Sequence, residues 1–308
     1  MKKILYTIFL IGGTCLTLHA QQPARYAQYH LNPVLINPAA TGFNQNHNLL
    51  FNFRNSWAGF PGAPKDITFS YDGMPVERVG LGALIYSQRI GHLQNYRAQL
   101  SYAYRFNIGE FKTSVGLSTE YLQSKLLNDV FLDPLTALDD PLIEEAADGL
   151  QFFDATLGFY GEYMEKFFVG LTLPNLVYAR IDQATVPSVV DNDPFRQFTF
   201  MLGYRFKAAD EAIRVEPSLL MRRLRNAPFQ TDINLKLSFL DEQLIGGLVY
   251  SVGGASKAGF LIGTRLNNFL IAYSYDVGLI DFQSYNNGGH EITVGIRINP
   301  KPSRVKIE

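Results

Sequence analysis

The segment from Leu49 to Ile298 repeats one pattern about fourteen times: roughly ten residues of alternating apolar and polar side chains, followed by turn residues. In the last repeat the apolar set is Ile292, Val294, Ile296 and Ile298, and the intervening set is Glu291, Thr293, Gly295 and Arg297. Successive side chains of a strand point to opposite faces, so each such strand has one apolar and one polar face. This pattern is typical of a transmembrane β-barrel with lipid outside and water inside.

Other segments show the same two faces. Ile233, Leu235 and Leu237 alternate with Asp232, Asn234 and Lys236. After the first twenty residues no run of eighteen uncharged apolar residues occurs, so helical membrane spans are not expected. A chain that crosses lipid with strands must satisfy its backbone by closing the sheet. We therefore predict an all-β fold, an up-and-down antiparallel barrel of about 14 strands, preceded by an extended N-terminal segment.

The first twenty residues have the features of a secretory signal peptide. Lys2 and Lys3 precede the apolar stretch 4–18, and Ala20 ends a small-residue cleavage site. The apolar stretch is too short for a spanning helix. The sequence thus predicts four parts, namely a cleaved signal peptide (1–20), an N-terminal extended segment (21–46), the barrel (47–298) and a periplasmic C-terminal tail (299–308).

Composition excludes several classes of function. Cys15 is the only cysteine, so cleavage leaves no thiol for a disulfide, a thiolate metal site or a nucleophile. The alternative of a lipoprotein acylated at Cys15 is less favoured, because Gly12 stands where such signals carry leucine. Loss of Lys2 and Lys3 from 27 basic and 28 acidic residues gives a net charge of −3, which provides no general attraction to nucleic acid.

Charged residues in the strands keep to the polar face. A cation facing lipid at the midplane costs about 2–4 kcal/mol, so these side chains should point into the lumen and form pairs there. The expected lumen charges are Arg97, Arg105, Glu120, Asp154, Arg205, Arg214, Glu216, Asp232, Lys236, Arg265 and Arg297. Pro217 lacks an N–H and should mark a bulge or a locally unpaired position.

Connection lengths alternate along the chain, and outer-membrane barrels place short turns in the periplasm and longer loops outside. The expected outer connections are 56–65, 88–94, 124–149, 174–194, 222–228, 253–256 and 278–290. The expected periplasmic turns are 107–110, 161–166, 207–212, 241–243 and 266–268. An even strand count returns the C-terminus to the periplasm.

A segment before the first strand is not required by barrel physics. It contains Gln28-Tyr29, Asn32-Pro33, Ile36-Asn37-Pro38-Ala39 and Gly42, and Arg54-Asn55-Ser56-Trp57 follows on leaving the first strand. This arrangement, with the later Phe69-Ser70-Tyr71-Asp72, resembles the opening of the PorP/SprF family of type IX secretion membrane proteins. The motif match covers roughly the first quarter of the mature chain, and the remainder is similar in length and strand rhythm.

The resemblance implies an outer-membrane barrel of the Bacteroidota that works in export or surface retention of large adhesin-like cargo, in some members for gliding motility. It also implies partners: outer-membrane lipid, a secreted protein with a C-terminal sorting domain, and periplasmic type IX ring or peptidoglycan-linking components. The alternative that the residues leave open is a plugged outer-membrane diffusion channel for small solutes.

The two Asn-Pro pairs should shape the segment before the barrel. Each pair favours an extended or turn conformation, so Asn32-Pro33 and Asn37-Pro38 predict a stiff, kinked strip. We expect this strip to enter the periplasmic mouth or the lumen as a partial plug, anchored by Leu31, Leu35 and Ile36. The alternative is an ordered leader lying under the barrel rim.

Three groups of loop residues are candidate partner contacts: Trp57 with Phe60, the apolar residues Phe131, Leu132 and Leu135, and the cluster Arg222, Arg223 and Arg225. For Trp57, an anchor at the headgroup level is the favoured role and a cargo contact the alternative. For the arginines, a rim cluster that faces the acidic loop 124–149 is the more common arrangement. That loop has carboxylates that could hold Ca²⁺, but their spacing is not that of an EF-hand, and a solvated loop is favoured.

Catalytic and metal-binding patterns are missing from the sequence. His30, His47, His92 and His290 have no HxxxH spacing, and the chain has neither GxSxG nor a phosphate-loop pattern. We therefore expect no enzyme activity, no cofactor and no metal site.

Overall fold

Alternating segments along the chain form antiparallel strands, and the first of these strands pairs with the last. The computed structural model describes residues 26–127, 147–181, 197–208, 212–224, 227–254, 256–279 and 286–299. In chain order the strands are β1 His47–Asn55, β2 Lys65–Val76, β3 Val79–Ile90, β4 Leu93–Ile108, β5 Phe111–Leu126, β6 Leu150–Tyr163, β7 Phe167–Leu173, β8 Ala179–Arg180, β9 Phe198–Tyr204, β10 Phe206–Ala208, β11 Ile213–Arg223, β12 Gln230–Phe239, β13 Leu244–Val252, β14 Lys257–Leu266, β15 Phe269–Gly278 and β16 Gly289–Ile298.

Fourteen strands close the barrel, as the sequence predicted. Of the sixteen strand segments in the described residues, β8 pairs only with β6, and β10 continues β9 beyond Arg205. Each of the other strands pairs with its neighbours along the chain, β7 pairs with β9, and β16 returns to β1. Two 3₁₀ helices, Pro33–Leu35 and Pro38–Ala40, precede β1. No helix among the described residues is long and apolar enough to cross a membrane.

The alternation seen in the sequence separates the two surfaces of the barrel. In β16, Ile292 and Val294 are exposed on the outside, whereas Glu291 and Thr293 are buried inside. In β1, Phe51 lies opposite Val294 on the outer face, and Asn52 lies opposite Thr293 on the inner face. The exposed apolar outer face and the polar inner face are those of an integral outer-membrane barrel.

One predicted outer connection is much shorter than expected. Strands β3 and β4 continue to Ile90 and from Leu93, so the predicted loop 88–94 is a two-residue turn at Gly91 and His92. Gly91 has a φ of +56°, which allows the chain to reverse there without a loop. The two longest outer connections lie mainly outside the described residues.

Pro217 interrupts the sheet on one side only. It pairs with Leu235 of β12, but the ladder between β11 and its other neighbour stops at Ser218 and resumes at Val215. The break between β9 and β10 at Arg205 falls at this position. The missing N–H of proline explains the locally unpaired position that the sequence predicted.

Candidate functional site in the barrel lumen

The segment ahead of β1 begins two short helical turns at its Asn-Pro pairs. Pro33 and Pro38 each start a 3₁₀ helix, where the missing N–H costs no hydrogen bond. Asn37 caps the second turn, because its Oδ1 accepts a bond from the Ala39 N–H at 2.9 Å. The segment therefore contains two short 3₁₀ turns, where the sequence predicted a stiff, kinked strip in an extended or turn conformation.

Residues 26–43 lie inside the barrel and hydrogen-bond to strands all around it. The contacts include Tyr26 with Thr68 of β2, Gln28 with Ser274 of β15, Tyr29 with Asn234 of β12, Asn37 with the Phe159 carbonyl of β6, and Ile36 with Thr172 of β7. These partners belong to well-separated strands, so the segment contacts the inner face of the barrel on several sides.

The carboxylate of Glu291 holds the start of the segment. It is completely buried, and it accepts hydrogen bonds from the Ala27 N–H at 2.8 Å and the Gln28 N–H at 3.3 Å. Arg54 forms an ion pair with the same carboxylate at 2.8 Å, and Asn52 donates a hydrogen bond to it at 2.9 Å. Sequence reasoning did not single out Glu291, although its place on the polar face of the last strand was a signal that it faces the lumen.

Glycines on the inner face make room for the segment. A Cβ at Gly116 would lie 2.5 Å from the Ala39 nitrogen, and a Cβ at Gly80 would lie 2.0 Å from the Thr41 carbonyl oxygen. Gly42, with a φ of +63°, packs against the backbone of Gly73 in the same way. The backbone of the segment approaches the wall more closely than any side chain would allow.

The expected anchors Leu31, Leu35 and Ile36 are partly buried and pack against the core clusters. More fully buried side chains of the segment are those of Tyr26, Ala27, Tyr29, Val34, Ala39, Ala40 and Phe43. The wall supplies Tyr160, whose ring meets that of Phe43 edge-on at 4.7 Å. Aromatic pairing therefore adds to the aliphatic contacts.

One set of inward charges lies toward the long-loop end. Arg54 contacts Asp276 at 2.6 Å as well as Glu291, and Arg222 contacts Asp232 at 2.7 Å. The expectation of Arg222 as an outer-loop residue is corrected, because it occupies the inner face of β11 and is buried. Its neighbour Arg223 points outward, and Arg225 lies outside the described residues.

A second set lies toward the short-turn end. Arg205 bridges Glu162 and Glu216, and the Lys236 ammonium lies 3.1 Å from Glu216. Glu242 contacts Arg265 at 2.7 Å and Arg297 at 3.8 Å. Of the other expected lumen charges, Arg97 faces Glu120 at 3.7 Å, Arg105 donates to the Phe43 carbonyl at 2.9 Å, Asp154 is buried, and Arg214 lines an internal cavity.

That cavity has a volume of about 870 Å³ and lies between the N-terminal segment and the short-turn end of the barrel. Its lining includes Phe43 and His30 of the segment and the short turn 164–166, so it opens at the short-turn end. Burial, with a smaller effect from Lys236, lowers the pKa of His30 from 6.5 to about 4, so the imidazole is neutral at physiological pH.

The candidate loop contacts are described only in part. Trp57 and Phe60 are about 40% exposed on the connection after β1. This connection packs on the one before β16, since the Ala58 N–H bonds the Gly288 carbonyl at 2.8 Å. Phe131, Leu132 and Leu135 lie outside the described residues, as does most of the acidic loop. The described residues contain no group of three side chains suited to hold a metal ion.

Comparison with solved structures shows a similar fold in a hydrocarbon channel and two toluene transporters. CymD, a monoaromatic hydrocarbon channel, is 12% identical with a TM-score of 0.51, over 88% of this chain and 92% of its own. The Ralstonia pickettii toluene transporter TbuX is 9% identical with a TM-score of 0.51, over 86% and 92%. The Pseudomonas putida toluene transporter TodX is 10% identical with a TM-score of 0.50, over 87% and 94%. At these identities the likeness concerns the fold alone.

No curated protein matches the sequence. The profile of a protein family, described as type IX secretion system membrane protein PorP/SprF, matches residues 18–296. The match includes the double Asn-Pro segment, the closed barrel around it and the last strand up to Ile296. The chain belongs to the PorP/SprF family of type IX secretion system membrane proteins.

Proposed function

We propose that this outer-membrane barrel binds or retains a secreted, adhesin-like surface protein and links it to the secretion or gliding machinery. The family match over residues 18–296 carries the proposal. The partners are a secreted protein with a C-terminal sorting domain at the outer face, and type IX ring or peptidoglycan-linking components in the periplasm.

The N-terminal segment inside the barrel supports a docking role over a diffusion channel. Between Tyr26 and Phe43 the segment bonds strands on all sides, and Glu291 and Arg54 fix its start by buried, charge-assisted hydrogen bonds. Such bonds are roughly twice as strong as neutral ones, so we expect the segment to be held stably inside the barrel. The hydrocarbon channels of similar fold do not favour the alternative, because their likeness is limited to the fold.

Trp57, Phe60 and Arg223 are the described candidates for contact with the cargo. Both aromatic side chains are exposed at the long-loop end, and Arg223 points away from the lumen. Tryptophan and arginine are enriched among the residues that dominate binding energy at interfaces. Phe131, Leu132, Leu135 and Arg225 belong to the same proposed surface.

Pull-down of the tagged chain from detergent-solubilised outer membrane, followed by mass spectrometry, tests the proposal. We expect a large surface protein with a C-terminal sorting domain to co-purify, and the variant Trp57→Ala with Phe60→Ala to lose most of it. Tyr163→Ala is the matched control, because Tyr163 is equally exposed but lies at the short-turn end. Recovery of the barrel alone, together with ion conductance in planar bilayers, would instead support the channel.

A further inference from the structure

We propose that the cavity at the short-turn end is a binding site for an acidic polypeptide segment that enters from the periplasm. Outer-membrane barrels have short turns in the periplasm and longer loops outside, which places the short-turn end on the periplasmic side. Binding there is independent of cargo retention at the outer face, so either proposal can fail without the other.

The shape of the cavity suits a short peptide. Its volume of about 870 Å³ lies within the 300–1,000 Å³ that ligand sites usually occupy. The N-terminal segment forms its inner wall with His30, Leu31 and Phe43, and the turn 164–166 stands at its mouth. A ligand therefore enters from the short-turn end and stops against the segment.

The charges of the cavity are unequal. Eight cationic side chains and four carboxylates line it. Each carboxylate already contacts a cation: Glu162 and Glu216 contact Arg205, Glu165 contacts Lys112, and Glu242 contacts Arg297.

Lys166 and Arg214 stand apart from these ion pairs. Within the described part of the chain, neither side chain forms one. These cations can bind carboxylates of a ligand without breaking an existing pair. A concave site with a net positive charge also raises the local concentration of an anionic ligand.

The apolar part of the lining favours a peptide over an inorganic anion. Leu31, Pro33 and Met164 line the cavity among the cations and keep exposed surface, and Met164 is 51% exposed. Methionine and arginine are among the residue types enriched at the centre of protein–protein interfaces. A phosphate ion would leave this apolar surface in water, whereas leucine side chains of a peptide would cover part of it.

Fluorescence anisotropy with the purified full-length protein in detergent tests the site. The probe is a fluorescein-labelled octapeptide of alternating glutamate and leucine, and the comparison peptide replaces glutamate by lysine. We expect the acidic peptide to bind at least about tenfold more tightly, with an affinity that falls as salt is added. Lys166→Ala with Arg214→Ala should weaken its binding by about tenfold.

Arg78→Ala is the matched control, because Arg78 is exposed at the same end of the barrel but does not line the cavity. It should bind the acidic peptide like the parent protein. Heat-modifiable electrophoretic mobility verifies that each variant is a folded barrel. The proposal is overturned if the lysine peptide binds equally well, or if the control and the double variant behave alike. Displacement of the probe by inorganic phosphate at the peptide's own concentration would indicate a small-anion site and would also overturn it.

Discussion

Gly116→Ala should push the N-terminal segment away from the barrel wall. The new Cβ would lie 2.5 Å from the Ala39 nitrogen and 2.6 Å from the carbonyl carbon of Pro38. Ordinary contact begins at 3.4 Å, so one backbone must move by 0.9 Å, the difference between these two distances. Both atoms belong to the backbone, and the Asn37 cap fixes the turn that contains them. A side-chain rotation therefore cannot relieve the clash.

Overpacking of this kind costs typically about 1–3 kcal/mol. We expect Gly116→Ala to lower the free energy of unfolding by that amount, measured by urea titration of the protein refolded in detergent. Asn37 and residues 39–41 should also exchange their amide hydrogens faster. Gly246→Ala is the control, because a Cβ there meets no atom within 4 Å, and its effect should stay within about 0.5 kcal/mol. Equal stabilities and exchange rates for the two variants would refute the packing argument.

Three further changes test the same assembly. Glu291→Ala should lower the free energy of unfolding by about 3–5 kcal/mol and speed amide exchange at the start of the segment, because it removes one partner of a buried ion pair. Glu165→Ala is the control, because Glu165 is exposed and its loss should change the free energy of unfolding very little. The lowered pKa of His30 means that the unfolded chain binds a proton that the folded chain does not, so stability should fall by at most about 3 kcal/mol from pH 6.5 to about 4. His30→Gln should remove that slope in urea titrations, and an unchanged slope would contradict the assignment. Asn37→Ala should lower the free energy of unfolding by about 1–2 kcal/mol, because it removes the cap of the second turn and the hydrogen bond to the Phe159 carbonyl. Asn44→Ala, at an exposed position, should leave the free energy of unfolding unchanged. Equal losses in the two variants would argue against the cap.

The barrel was readable from the sequence because a strand in lipid obeys a strict period of two. Ile292 and Val294 face outward and Glu291 and Thr293 inward, as their alternation predicted. The same rule predicted the strand number. It was less successful at strand ends, since the strands continue to Ile90 and from Leu93 through a two-residue turn that Gly91 makes possible.

The contacts in the lumen were less predictable. The odd or even position of a residue in its strand tells which face its side chain is on, but not which side chains of other strands it contacts. Arg205 was expected inside, but its double contact with Glu162 and Glu216 depends on which strands become neighbours. Arg222 was placed in an outer loop, although its parity with Glu216 on β11 puts it on the inner face.

The sequence by itself determined a two-faced, closed sheet in the outer membrane and, through its double Asn-Pro segment, the family. Both depend on local features: the alternation of side chains and the restriction that proline places on its neighbours. Only the tertiary structure decided where the segment lies, that Glu291 holds it, and that Gly80 and Gly116 admit it. These contacts join residues up to 264 positions apart, and closure of the barrel brings them together.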